Sequence, residues 1–144
     1  MSEPGQRART RVGAQLSAVL ATGRLELPCC SSCGAIQYPP AEICRQCLAG
    51  VVELAPADPN GSVIASAAVH RSYAMDFADG GPWFVASIKL AAGPIVFAHV
   101  LELLDGGTVV MLVALTDGLG DGVLGAVREA GEHGALQARF NRLR

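Results

Sequence analysis

The chain is poor in charge and poorer still in aromatic rings. Asp, Glu, Lys and Arg make up 17% of its 144 residues, and Phe, Trp and Tyr only 5%. Half of the residues are apolar and the mean hydropathy is positive, so little charge is left to dress a surface. That balance predicts a buried partner interface. Long apolar runs are also missing. The longest, such as LAAGPIVFAHVL at 90–101, reach about a dozen residues against roughly 20 for a bilayer span, so no membrane span is expected. The start, MSEPGQRARTRVG, has no apolar core of signal-peptide type, which predicts a cytoplasmic protein. Positive charge is scarce in the middle, where residues 25–127 hold three basic residues against ten acidic ones. The Arg-rich ends, with four Arg in 1–24 and four in 128–144, read as solvated segments. Phosphate-backbone binding needs a contiguous basic face, and single-strand binding needs aromatics interleaved with cations. The candidate strands supply only Trp83, Phe84 and Phe97, with Lys89 beside them, so no nucleic-acid partner is expected.

Catalytic signatures are absent too. The Gly-rich turns match neither the P-loop nor the dinucleotide fingerprint, and Ser31, Ser32, Ser62, Ser66, Ser72 and Ser87 lack a nucleophile-elbow context. Asp76 and Asp79 read as turn-formers rather than an acid/base pair. His99 falls mid-strand on the face of Phe97 and Leu101 and reads as a satisfied barrel or interface histidine. His70, with Arg71 and Tyr73, ends a strand beside a loop, and His133 is expected to be solvent-exposed. The chain alone is not expected to catalyse a reaction.

What is present begins with a helix over 8–22, where Val12, Leu16, Val19 and Leu20 form one apolar stripe and Gly23 marks the stop. The stripe must cover the chain's own barrel or dock on another protein. Beyond residue 50, short β-rich runs alternate with Gly- and Asp-rich turns. Strands are expected at 51–57, 62–70, 82–90, 94–103 and 108–116, five strands without intervening helices, which suggests a small closed barrel. In the tail, 117–144, glycines oppose a long helix, and ALQARFNRLR reads as a short helix or a last strand.

Between helix and strands lie all five cysteines, at 29, 30, 33, 44 and 47. In a reducing compartment clustered thiols are not expected to be structural disulfides. Cys30-x-x-Cys33 and Cys44-x-x-Cys47 are two knuckles ten residues apart, and facing knuckles make a tetrahedral four-sulfur site. Gly34 permits the positive φ that aims backbone N–H groups at sulfur, and Pro39-Pro40 stiffens the connection. Cys29 neighbours a ligand and is left out of the site, as a free thiol or a substitute ligand. One zinc per chain is expected rather than iron, because rubredoxin knuckles usually both continue into Gly and here Leu48 follows Cys47. With four thiolates bound no position is open, so the zinc is expected to be structural.

The order of these parts, with GRL at 23–25, CSSCGAIQYPPAEICRQC at 30–47 and GSV at 61–63, resembles the small bacterial and archaeal family that fuses a rubredoxin-like zinc ribbon to an OB-fold and is acyl-CoA-associated. The resemblance spans 8–116 and implies a mainly β chain. Residues 1–25 would be an N-terminal helical segment, 26–50 the zinc ribbon and 51–144 a five-stranded OB-fold domain with its C-terminal tail. It further implies an accessory subunit of a thiolase-like complex that makes or breaks carbon–carbon bonds of acyl-CoA by thiolysis, acyl transfer or retro-aldol cleavage. CoA or acyl-CoA would be a ligand at the partner interface, and the helix and barrel would dock on a thiolase-like dimer. A nucleic-acid-binding ribbon/OB module and a rubredoxin-like electron carrier are the competing readings.

Overall fold

The computed structural model of the protein describes residues 9–70 and 82–141. Arg71, Ser72, Tyr73, Asp76 and Asp79, singled out above, lie outside the described residues.

Helix α1 (Arg11–Ala21) starts at Thr10, whose side-chain oxygen accepts the Gly13 N–H at 3.1 Å, and stops at Gly23 with φ +87°. Next come β1 (Glu26–Cys30) and β2 (Val52–Pro56), which pair antiparallel with Glu26 opposite Pro56. Then follow β3 (Asn60–Val69), β4 (Trp83–Leu90), β5 (Ile95–Val100), β6 (Val109–Thr116), β7 (Gly122–Val127) and α2 (Gly131–Asn141). β3 to β7 close into a barrel in the order β3-β4-β5-β7-β6. Every pairing in it is antiparallel except β5 with β7, which meet in parallel at His99 and Gly125. This is the topology of an OB fold.

The expected five-stranded barrel is present, but one of its strands is not the one expected. The 51–57 run forms β2 and pairs with β1, outside the barrel. The fifth barrel strand is β7, from the tail that offered only a short helix or a last strand; the tail holds both. Alternation sets the walls. In β5, Val96, Ala98 and Val100 are buried while Ile95 and Phe97 are exposed. At the closure, Gly61 pairs with Leu90 on one side and Val110 on the other. A Cβ there would sit 2.8 Å from the Lys89 carbonyl oxygen, so a side chain would push the seam apart.

The α1 stripe is used within the chain. Val12, Leu16 and Leu20 are buried, and Leu16 and Leu20 join one core with Leu27 of β1 and the barrel interior. Each such side chain contributes about 1.5–3 kcal/mol by burial. This corrects the expectation that the stripe docks on a partner. The close approach depends on Gly122, where a Cβ would lie 2.2 Å from the Ser17 carbonyl oxygen. The ribbon is thus clamped to the barrel by a shared helix and a shared core.

Helix α2 packs on the outer face of β6 and β7, where Leu136 and Phe140 meet Trp83, Leu115 and Val127 in a second cluster apart from the barrel interior. The Gln137 amide accepts the Thr116 N–H and donates to the Thr116 carbonyl, both at 2.9 Å, and so continues the ladder where β6 runs out of neighbours.

Candidate metal centre

The ribbon has little apolar material. Cys30, Cys44 and Val52 form its small core, with Ala35 and Ala49 packed against them. Its order comes from backbone bonds repeated in both knuckles. The Cys30 N–H donates to Ala35 O and the Gly34 N–H to Cys30 O, at 2.9 and 2.8 Å. The Cys44 N–H donates to Ala49 O and the Leu48 N–H to Cys44 O, both at 2.9 Å. Gly34 has φ +78° and Leu48 has φ +64°. Leu48 therefore takes the left-handed conformation that glycine takes in the first knuckle, and its departure from the rubredoxin pattern is one of residue, not of backbone.

These turns bring the Sγ atoms of Cys30, Cys33, Cys44 and Cys47 within 4.8 Å of one another. Across the knuckles, Cys30–Cys47 and Cys33–Cys44 are both 3.6 Å. Sulfurs at the corners of a tetrahedron about 2.3 Å from zinc lie about 3.8 Å apart, so the donor set fits that ion. The Cys29 sulfur faces elsewhere, 3.7 Å from Gly34 O and 3.9 Å from Cys30 O, and is not in the cluster.

The protonation pattern suits a cation. The Cys33 N–H, with the Ser32 N–H behind it, holds the Cys30 thiol below its ordinary value. The N–H groups of Cys47 and Gln46 bring Cys44 down to about 6. The Ala35 N–H pulls on Cys33 as well, but desolvation and the crowding of Cys44, Cys47 and Cys30 push it up to about 12. Sulfurs this close resist joint ionisation until a dication replaces the protons.

The histidines stand apart from this cluster. His99, half-buried on the outer barrel wall, meets the Trp83 ring edge-on at 6.1 Å and the Phe140 ring at 4.9 Å. His133 is exposed, with Nε2 3.2 Å from Ala114 O, and His70 is exposed at the end of β3. Ser66, one of the serines read as non-catalytic, bonds Leu104 twice, donating to its carbonyl at 2.7 Å and accepting its N–H at 2.8 Å. A cleft of about 390 Å³ opens between α1, the ribbon loop and the outer barrel, lined among others by Arg9, Leu16, Tyr38, Phe97 and His99. Sequence reasoning missed this cleft, since it is made by three segments far apart in the chain. No described helix is long and apolar enough to cross a membrane.

Residues 17–53 match the family described as ChsH2, rubredoxin-like zinc ribbon domain, which covers the second half of α1, both knuckles and the start of β2. No curated protein matches the chain. Among solved structures, the one named Ltp2-ChsH2(DUF35) aldolase superposes with a TM-score of 0.70 at 20% identity, over 84% of this chain and 97% of that one. The likeness establishes the fold: a zinc ribbon joined to an OB-like barrel, in the arrangement described above.

Proposed function

We propose that this chain, a ChsH2-type zinc ribbon fused to an OB-like barrel, is a non-catalytic accessory subunit of a thiolase-like enzyme acting on acyl-CoA. Cys30, Cys33, Cys44 and Cys47 hold one zinc, which supplies no reactive position because all four ligands are thiolates. Its role is to fix the ribbon, which has only a small core of its own. The partner carries the carbon–carbon bond chemistry, and this chain contributes shape and a wall at the interface, where CoA or its ester binds.

The observation that carries this reading is the uncovered apolar surface on a well-formed barrel. Phe97 is 67% exposed and Val109 72%, and Ile95, Ile64 and Leu103 are exposed as well. Ile95 and Phe97 share the outward face of β5, and a subunit covered by another chain can keep such side chains on its surface. The Ltp2-ChsH2(DUF35) likeness supports it, since that protein is by its name an aldolase of two components. The nucleic-acid reading gains nothing here, because Lys89 is the single Lys or Arg in the five barrel strands.

The test is co-expression with candidate thiolase-like proteins. The expected result is a stable complex in which Phe97→Asp weakens association at least tenfold while zinc content and melting temperature stay unchanged. A complex that tolerates charge at both Phe97 and Val109 would contradict the reading, as would a chain that stays monomeric with every candidate.

A further inference from the structure

We propose that Gln37 is the positioning residue of the metal centre, the side chain that fixes the second knuckle against the first. The proposal rests on the metal reading above and goes beyond the four ligands. Gln37 lies in the link between the knuckles, which has no strand or helix to hold it beyond a single bridge between Cys29 and Ile36. Its own backbone is anchored, because the Gln37 N–H donates to Pro28 O of β1 at 3.0 Å. From that anchor the side chain, 93% buried, reaches across the link. Nε2 donates to Ala41 O at 3.3 Å and to Ile43 O at 3.2 Å, and Oε1 accepts the Arg45 N–H at 3.0 Å.

The two carbonyls and the N–H flank Cys44 in sequence, at 41, 43 and 45. One amide thus satisfies backbone groups on both sides of this ligand. Arg45 returns the clasp, donating from Nη1 to Tyr38 O at 3.1 Å and from Nη2 to Pro39 O at 3.4 Å. The amide uses both of its N–H donors and its oxygen, so its orientation is fixed, and an isosteric acid cannot replace it. In Gln37→Glu an oxygen would face the Ala41 and Ile43 carbonyls, and both would lose their donor. Partners behind metal ligands of this kind typically change metal affinity 10–100-fold when altered.

The experiment measures zinc release from the full chain to a chromophoric chelator, at a temperature where far-UV and near-UV signals show the barrel folded. The absorption bands of the Co²⁺-substituted protein are recorded beside it. Gln37→Glu is expected to release zinc at least tenfold faster than wild type, with shifted Co²⁺ bands. Gln37→Met, neutral and of similar size, is expected to release it faster than wild type but slower than Gln37→Glu, and it serves if the charged variant fails to fold. A residue that merely helped folding would lower the melting temperature and leave release rate and Co²⁺ bands unchanged; that result overturns the proposal. A wild-type chain that takes up neither zinc nor Co²⁺ would overturn the metal reading and this proposal together.

Discussion

At the scale of single residues, the paired Cys-x-x-Cys spacing announces a four-sulfur cluster because each turn is local, and local geometry can be read from local sequence. The exclusion of Cys29 is legible for the same reason, since adjacent residues on β1 face opposite ways. Replacing any of Cys30, Cys33, Cys44 or Cys47 by Ser is expected to lose the metal, while Cys29→Ser keeps it; metal analysis of the five purified variants checks this. What could not be read is the backbone of Leu48, a non-glycine residue at φ +64° with 74% of its surface exposed. Leucine there costs about 1–2 kcal/mol relative to an ordinary conformation, and glycine removes the penalty. Leu48→Gly is therefore expected to raise stability by about 1 kcal/mol, measured by chemical denaturation. An unchanged or lowered midpoint would show that Leu48 contributes packing that outweighs its backbone.

At the scale of elements, α1 and most strands follow from apolar periodicity, and two assignments differ for physical reasons. The 51–57 run has the alternation of a strand but no local mark of which sheet it joins; its partner, β1, lies over 20 residues earlier and is interrupted by the knuckles. β7 hides behind glycine, which weakens any strand signal. Gly122 and Gly125 are there because α1 and α2 come too close for side chains, the latter with Leu136 Cδ2 2.8 Å from a would-be Cβ. Gly122→Ala is expected to cost about 3 kcal/mol by prising α1 off the barrel, read as a lower melting temperature. Leu16→Asp buries an unpaired carboxylate in the shared core and is expected to prevent folding, seen as loss of near-UV signal.

The start of α2 carries a pH dependence of known sign. Glu132 is held below the ordinary carboxylate value chiefly by its hydrogen bond to Arg128, 3.1 Å away. A carboxylate lowered in the folded state stabilises above its unfolded value near 4.5, and that contribution disappears as pH falls through the folded value. Glu132→Gln is thus expected to lower the melting temperature slightly at pH 7 and by less near pH 3. Equal differences at both pH values would contradict the assignment. The effect is small because Arg128 is about half exposed and screened by solvent.

At the scale of the whole molecule, composition pointed to a covered surface, and the barrel shows where uncovered apolar side chains stand. The position of that surface was not legible, because it depends on which strands neighbour one another and on α1 being spent inside the chain. The central claim is that this chain holds a shape for chemistry performed by another protein. The most direct measurement is acyl-CoA turnover by the isolated zinc-loaded chain, by the proposed thiolase-like partner and by the reconstituted pair. The expected result is no turnover by the chain, little by the partner, and full activity by the pair, lost again with Cys44→Ser. Turnover by the isolated chain, or a partner equally active without it, would contradict the claim.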